Sequence, residues 1–212
     1  MINVVKSQPA PPCLATEASK PNGNYACNGV ITQLEIDFKG KCYICDSTNP
    51  RPIAVEHFKP KSRFPMLKFD WNNLFYVCGH CNGIKSDKPE YDDILNCTNS
   101  QEIITDLIEF IFDPIKEESP EFILIIPSTP KSQATTELLD EIFEGNTENQ
   151  QIAAANLKKD LILEMSNFYR EALCYLNPSS RPSEKIDSKE ILISQLNLDK
   201  TFLGFQNLGH KE

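Results

Sequence analysis

The chain has 212 residues, of which 40% are apolar and 24% charged, and its formal net charge is −9 at pH 7. This composition fits a soluble globular protein, and no apolar run approaches the roughly 20 residues that a membrane-spanning helix needs. The N-terminus shows no charged stretch followed by an apolar one, so we expect no secretion signal and a cytoplasmic location. In that compartment we expect cysteines to bind metal or to remain buried thiols rather than to form disulfides.

The charge is distributed unevenly along the chain. Residues 39–88 carry nine Lys or Arg and four Asp or Glu, a balance of +5, which leaves −14 for the rest. A negative protein is by itself a poor nucleic-acid binder. A basic stretch within it nevertheless suits a local contact with phosphate, although ordinary scatter of surface charge is the alternative explanation.

The first half of the chain predicts an arm followed by a hairpin. Residues 1–30 are rich in Pro, Asn and Ala and are expected to form an extended arm, followed by a short helix over 31–38. Apolar and β-branched residues predict strands over 52–58 and 73–78. A short helix is expected to open at Asn82.

The second half is predicted to be mainly helical. Apolar residues at helical spacing predict a helix over 103–111, and the apolar run 122–126 lies between prolines and predicts a buried strand. Further helices are expected over 136–144, 147–176, 187–196 and 199–206, with a linker over 177–186.

Two Cys-x-x-Cys pairs carry the strongest chemical signal. They are Cys42/Cys45 and Cys78/Cys81. Four thiolates can close one tetrahedral zinc site, which would join the two ends of the predicted hairpin in a structural role. Buried free thiols and a redox pair are the alternatives, and His80 could replace one sulfur.

An acid–histidine pair lies between the two cysteine pairs. Histidine is the natural general base near neutral pH, so His57 is the candidate for activating water. Glu56 and Asn82 offer the oxygen ligands that Mg²⁺ or Mn²⁺ prefers. In a regular strand Glu56 and His57 would face opposite sides, so they can serve one site only if the strand ends or bulges there.

Other polar residues of this segment are candidates for supporting roles. Asn73 is expected to hydrogen-bond the loop that follows the histidine. Lys61, Arg63 and Lys85 are candidate phosphate contacts, although each alone is more often a solvated surface charge.

Together these residues resemble the HNH endonuclease family, whose ββα-metal fold joins a hairpin to a helix. The resemblance covers residues 42–88 and implies an α+β protein in which a ββα-metal core with a four-Cys zinc knuckle precedes a mostly helical region. It implies His57 as general base, Asn73 as the central structural Asn, and Glu56 with Asn82 as ligands of a catalytic Mg²⁺ or Mn²⁺. Glu replaces the commoner Asp at position 56, and Asn replaces the commoner His at position 82. The core would span 39–95, after an arm and short helix over 1–38 and before a mainly helical partner-binding region over 96–212.

A looser likeness extends to the HNH effectors of bacterial anti-phage systems, in particular the Septu (PtuB) type. It rests on the opening Ile2 to Lys6, the prolines over 9–12, the block from Asn156 to Phe168 and the Phe202 to Phe205 ending. It implies an SMC-like ATPase partner of the PtuA type, sometimes alongside a retron, and DNA or tRNA as substrate. A non-catalytic zinc-knuckle adaptor for protein or nucleic acid is the alternative to a nuclease, and a redox protein is the third hypothesis.

Overall fold

The computed structural model describes residues 1–48, 50, 52–112, 120–197 and 200–206. Four short strands form two separate antiparallel hairpins, and helices make up most of the second half of the described chain. This mixed α and β architecture confirms the predicted fold class. The elements are α1 Pro12–Ala18, α2 Asn28–Asp37, β1 Ile53–His57, β2 Leu74–Cys78, α3 Gly79–Lys85, α4 Ile104–Leu107, β3 Ile108–Ile111, β4 Glu121–Leu124, α5 Pro130–Glu144, α6 Glu148–Leu176, α7 Pro182–Gln195 and α8 Leu203–Gln206.

The first hairpin and the helix after it form the ββα unit that the sequence predicts. β1 pairs antiparallel with β2, with Ile53 opposite Cys78 and His57 opposite Leu74. All five residues of β2 are buried, as their apolar side chains require, and this strand therefore runs through the core. α3 begins directly after β2, where the Cys78 sulfur accepts a hydrogen bond from the backbone N–H of Cys81.

The N-terminal arm is more ordered than its composition predicts, since it contains α1 and is cross-linked to the start of α2. A disulfide joins Cys13 and Cys27. The expectation that the cysteines do not form disulfides is therefore wrong for this pair. Proximity decides the outcome: packing α1 against α2 brings the two Cα atoms to 6.4 Å, within bonding range.

Hydrogen bonds also tie the start of the arm to distant segments. Asn3 donates to the backbone oxygen of Glu102 over 2.8 Å and accepts from the N–H of Ile104 over 2.9 Å. The Lys6 ammonium donates to the backbone oxygens of Trp71 and Leu74, and it lies 4.0 Å from the centre of the Trp71 ring. The arm therefore packs on the ββα unit.

The predicted helix over 103–111 is wrong for its second half. Only Ile104–Leu107 is helical, and the chain then continues as β3, which pairs with β4. Within β3 the burial alternates, with Ile108 and Phe110 inside, and Phe110 meets Phe122 edge to face. Burial against this opposing ring selects a period of two over the helical period that the isoleucines alone suggest.

Two C-terminal helices, α5 and α7, are longer than the sequence predicts, whereas α6 has almost the predicted bounds and α8 covers only the last part of the helix predicted over 199–206. α5 begins at a capping box formed by Thr129 and Ser132, and Thr147 with Gln150 forms another before α6. α7 starts inside the predicted linker, since a proline at its first position suits a helix start. Among the described helices, none combines the length and the apolar composition needed to cross a bilayer.

The end of the described chain returns to the first cysteine turn. Asp46, one residue after Cys45, accepts a hydrogen bond from the N–H of Leu203 over 2.7 Å and forms a buried ion pair with Lys41. Lys41 also donates to the backbone oxygen of Lys200. The segment at α8 is thereby fixed to the ββα unit.

Candidate active site

The four cysteines predicted to bind zinc converge at one end of the ββα unit. The sulfurs of Cys42, Cys45, Cys78 and Cys81 all lie within 4.8 Å of one another, and those of Cys45 and Cys78 are 4.0 Å apart. Zinc–sulfur bonds of about 2.3 Å require sulfur–sulfur edges of about 3.8 Å in a tetrahedron. The cluster is therefore close to the geometry of a closed four-sulfur zinc site.

The chemistry of the cluster also fits a cation. All four cysteines are buried. Burial raises the pKa of the Cys42 and Cys81 thiols, whereas hydrogen bonds from the neighbouring thiols lower the pKa of Cys45. Several thiolates at such close range need a compensating positive charge, which a divalent ion supplies. His80 lies outside this cluster, because its Nε2 is 2.8 Å from the backbone oxygen of Ile142 in α5.

The acid–histidine pair lies at the end of β1, as a shared site requires. Glu56 and His57 are the last two residues of the strand, and both side chains are buried. Together with Asn82 and Lys61 they line one cavity of about 360 Å³. The end of the strand thus lets two residues that would otherwise face opposite sides border the same space.

A hydrogen bond to the backbone sets the tautomer of the His57 ring. Its Nε2 lies 2.9 Å from the backbone oxygen of Lys68. Because a carbonyl oxygen can only accept, Nε2 carries the proton and the lone pair of the neutral ring is on Nδ1. Burial lowers the pKa of His57, opposed by the Lys68 hydrogen bond, and the neutral ring suited to accept a proton is favoured.

Asn73 connects the two strands to the loop between them. Its Oδ1 accepts a hydrogen bond from the N–H of Lys59 over 2.8 Å. Its Nδ2 donates to the backbone oxygen of Lys59 over 3.0 Å and to that of Leu67 over 3.3 Å. Since Lys59 follows His57 by two residues, Asn73 holds the chain just beyond the histidine.

Glu56 has a buried ionic partner on one side and an unpaired oxygen on the other. Its Oε1 lies 2.7 Å from the ammonium of Lys85. Burial raises the pKa of the Glu56 carboxyl, and the charge of Lys85 opposes this effect. The nearby Tyr43 hydroxyl also lowers the pKa of Glu56. Within the described part of the chain, however, neither that hydroxyl nor Oε2 of Glu56 makes a hydrogen bond of good geometry. An unpaired buried carboxylate oxygen is a suitable ligand for a hard cation.

Comparison with known proteins identifies this segment. Residues 42–88, which contain both cysteine pairs, the hairpin and α3, match the family model for HNH endonuclease. This segment is therefore similar to an HNH endonuclease domain, and we call it the HNH domain below. A stretch of 48 residues is also 40% identical to the Septu protein PtuB of Bacillus thuringiensis, covering 21% of this chain and 19% of that protein. The chain thus matches about one fifth of the length of this curated relative.

Lys85, one of the candidate phosphate contacts, lies in the core of the HNH domain rather than at its surface. Lys85 is fully buried, and its ammonium donates to the backbone oxygen of Phe58 as well as pairing with Glu56. A phosphate in solution cannot reach it in this arrangement, so Lys85 neutralises Glu56 instead. The reason is that Lys85, in the last turn of α3, points into the core rather than outward.

Arg63 and Lys61 lie at the surface of the HNH domain. The Arg63 guanidinium makes two hydrogen bonds to the Asp92 carboxylate and a third to the backbone oxygen of Asp87. It contacts phosphate only by giving up these bonds. Lys61 is exposed and lines the cavity beside His57, so its ammonium is accessible from solvent at this site.

One residue at the cavity lies outside the HNH domain and was missed in the sequence. Tyr25, from the loop between α1 and α2, packs against His57 with their ring centres 4.3 Å apart. Its surroundings in the sequence are asparagine, glycine and alanine, which give no sign of an active-site role. Only the folding of the arm onto the hairpin brings it there.

Proposed function

We propose that this protein is a metal-dependent endonuclease that hydrolyses the phosphodiester bonds of nucleic acid. The single observation that supports it most is the convergence of Glu56, His57 and Asn82 on one cavity within an HNH domain. An imidazole with its lone pair on Nδ1, a carboxylate and an amide are the groups that a hydrolytic phosphate site needs.

In this proposal each residue has a defined task. Nδ1 of His57 accepts the proton of the attacking water, while Lys68 holds the opposite edge of the ring. Asn73 keeps the segment after the histidine in place. Glu56 and Asn82 would hold a Mg²⁺ or Mn²⁺ ion. When bound, that ion stabilises negative charge on the phosphate and on the leaving oxygen.

Positive charge for substrate binding comes from the rim of the cavity. We assign phosphate contact to Lys61, which is exposed there. Lys85 serves the site from inside: it keeps Glu56 ionised and therefore able to bind a cation.

We assign a structural role to zinc at the four cysteines. A closed four-sulfur site leaves the ion no open position for a substrate. Its binding would contribute on the order of 10 kcal/mol to holding the ββα unit folded. This unit carries every catalytic residue proposed above, so loss of zinc is expected to remove activity indirectly.

We further propose that the protein is the effector of a bacterial anti-phage complex, in the cytoplasm, with an SMC-like ATPase of the PtuA type as partner. The similarity to Septu protein PtuB supports this. The region 96–212 is proposed as the partner-binding part, and 39–95 as the nuclease core. Exposed apolar side chains on α6 and α7 suit a protein partner. They include Leu163, Leu173, Leu176, Ile186 and Ile193.

Cleavage assays test the enzymatic proposal. The zinc-loaded protein, alone and with its co-purified partners, is incubated with plasmid, single-stranded DNA and tRNA, with Mg²⁺, Mn²⁺ or chelator. We expect cleavage that needs the added ion and that is lost in Asn82→Ala, which changes a partly buried proposed ligand of that ion. Binding of nucleic acid without cleavage under every condition would instead support the adaptor.

Affinity purification from the native host tests the partner proposal. We expect an ATPase to co-elute with the full chain, and replacement of the exposed Leu173 and Leu176 of α6 by glutamate to abolish co-elution. Co-elution of a reverse transcriptase would indicate that a retron belongs to the same complex. Recovery of the ATPase with this variant, correctly folded, would refute the assignment of this face of α6 to partner binding.

A further inference from the structure

Tyr25 occupies a substrate-facing position at the proposed nuclease site. It lines the same cavity as Glu56, His57 and Asn82, and among the described residues that line this cavity it carries the only benzene ring. Its ring meets that of His57 at 62°, and the Lys61 ammonium lies 4.9 Å from its centre. The tyrosine is only partly buried, so its ring has surface available to a ligand.

The loop that carries Tyr25 is held on both sides. The Cys13–Cys27 disulfide closes it two residues after the tyrosine. One residue before the tyrosine, the N–H of Asn24 donates to the Glu17 carboxylate over 2.9 Å. Gly23 packs so closely on the backbone oxygen of Glu17 that a Cβ there would be only 1.8 Å away. These contacts hold the backbone of the loop that carries Tyr25 in place before a ligand binds.

We propose that Tyr25 is a nucleotide-binding residue of this nuclease, stacking on the base next to the phosphate that is cut. The proposal rests on the nuclease function above and adds a substrate contact from outside the HNH domain. An uncharged π-surface beside the cleavage site suits a base rather than a phosphate, and the adjacent Lys61 supplies the charge for the phosphate.

Stacking on one tyrosine makes the contact tolerant of sequence. Every base has a π-face, so the interaction grips a nucleotide without reading its identity. It requires the base to be accessible, as it is in a single strand or at an unpaired position. We therefore infer that the preferred substrate has an unstacked nucleotide beside the scissile phosphate.

The experiment pairs a protein variant with a change in the substrate. Fluorescence anisotropy gives the dissociation constant of the zinc-loaded full chain for single-stranded oligonucleotides in which one abasic position is moved along the strand. Ca²⁺ replaces Mg²⁺ so that binding is measured without turnover. We compare the wild type with Tyr25→Ala and Tyr25→Phe. Phe64→Ala is the matched control, because a lysine also lies over the Phe64 ring but Phe64 is not among the residues lining the cavity.

We expect the wild type to lose roughly 5- to 150-fold in affinity at one abasic position, the value of one stacked base. Tyr25→Ala should lose a similar factor on the intact strand and be insensitive to the abasic nucleotide at that position. Tyr25→Phe and Phe64→Ala should behave as the wild type does. A Tyr25→Ala protein that keeps the full abasic profile, or no measurable binding by the wild type, would overturn the proposal.

The same samples keep this proposal separate from the nuclease function. In Mg²⁺, His57→Ala should bind with the wild-type abasic profile and cut roughly 10²- to 10⁴-fold more slowly than the wild type. Oligonucleotides that bind with a Tyr25-dependent profile and are never cut, under any metal, would refute the nuclease but support the stacking contact. Cleavage by Tyr25→Ala with an unchanged KM and an unchanged abasic profile would refute the stacking contact alone.

Discussion

Replacing Lys85 by methionine should destabilise the protein strongly. Lys85 and Glu56 form an ion pair of 2.7 Å with side chains 1% and 5% exposed. The lysine also donates to the backbone oxygen of Phe58 over 2.9 Å. In Lys85→Met a methionine of similar length fills the space, but the carboxylate and the carbonyl are left in the core without this donor.

The expected magnitude follows from that burial. Removing one partner of a buried pair costs about 3–5 kcal/mol in the free energy of unfolding. For a chain of this size the free energy of unfolding falls by about 3 kcal/mol per molar urea, so the urea concentration at the midpoint of unfolding should fall by about 1–1.7 M. The assay is urea unfolding of the zinc-loaded protein, followed by circular dichroism in the absence of Mg²⁺.

Two further variants make the reasoning refutable. Lys61→Met removes an exposed lysine of the same domain and should change the free energy of unfolding by no more than about 0.5 kcal/mol. Adding Glu56→Gln to Lys85→Met should recover part of the loss, because no charge is then left buried. A Lys85→Met protein as stable as Lys61→Met would contradict the ion pair.

Three other changes test the arm and the zinc knuckle. Asn3→Ala should lower the free energy of unfolding by about 1–3 kcal/mol, because the Ile104 N–H loses its acceptor. The control Val5→Ala, at a residue 92% exposed, should leave it unchanged. Equal urea midpoints for the two variants would contradict the role of Asn3. Cys13→Ser removes the disulfide between residues 14 apart and should lower the free energy of unfolding by about 3 kcal/mol. A phosphine reductant should therefore lower the melting temperature of the wild type and leave that of the variant unchanged. Cys78→Ser should lose zinc, measured by a colorimetric assay on the unfolded protein; a stable, zinc-free and active variant would refute the structural role.

Local spacing in the sequence was sufficient to predict the metal cluster and the ββα unit. The short spacing of each Cys-x-x-Cys turn brings two sulfurs close enough to share one ion. The two strands of the hairpin were predicted from their apolar and β-branched residues. All five residues of β2 are buried, which explains why its side chains are apolar. The two turns meet because the predicted hairpin between them forms, with β1 paired to β2.

The features that were missed depend on contacts between distant segments. The strand Ile108–Ile111 has helical spacing of isoleucines, and only the opposing Phe122 selects the extended form. The Cys13–Cys27 disulfide follows from the packing of α1 on α2. Lys85 was expected at the surface because a lysine is seldom buried, and its buried partner 29 residues earlier could not be recognised as such.

The most direct test of the account is single-turnover cleavage by zinc-loaded wild-type protein and His57→Ala, with the substrate that the assays above identify. The account predicts a fall in rate of roughly 10²- to 10⁴-fold, the contribution typical of one general base, with zinc content and urea midpoint unchanged. A variant that is correctly folded, fully zinc-loaded and as fast as the wild type would show that the imidazole beside Glu56 and Asn82 does not perform the chemistry.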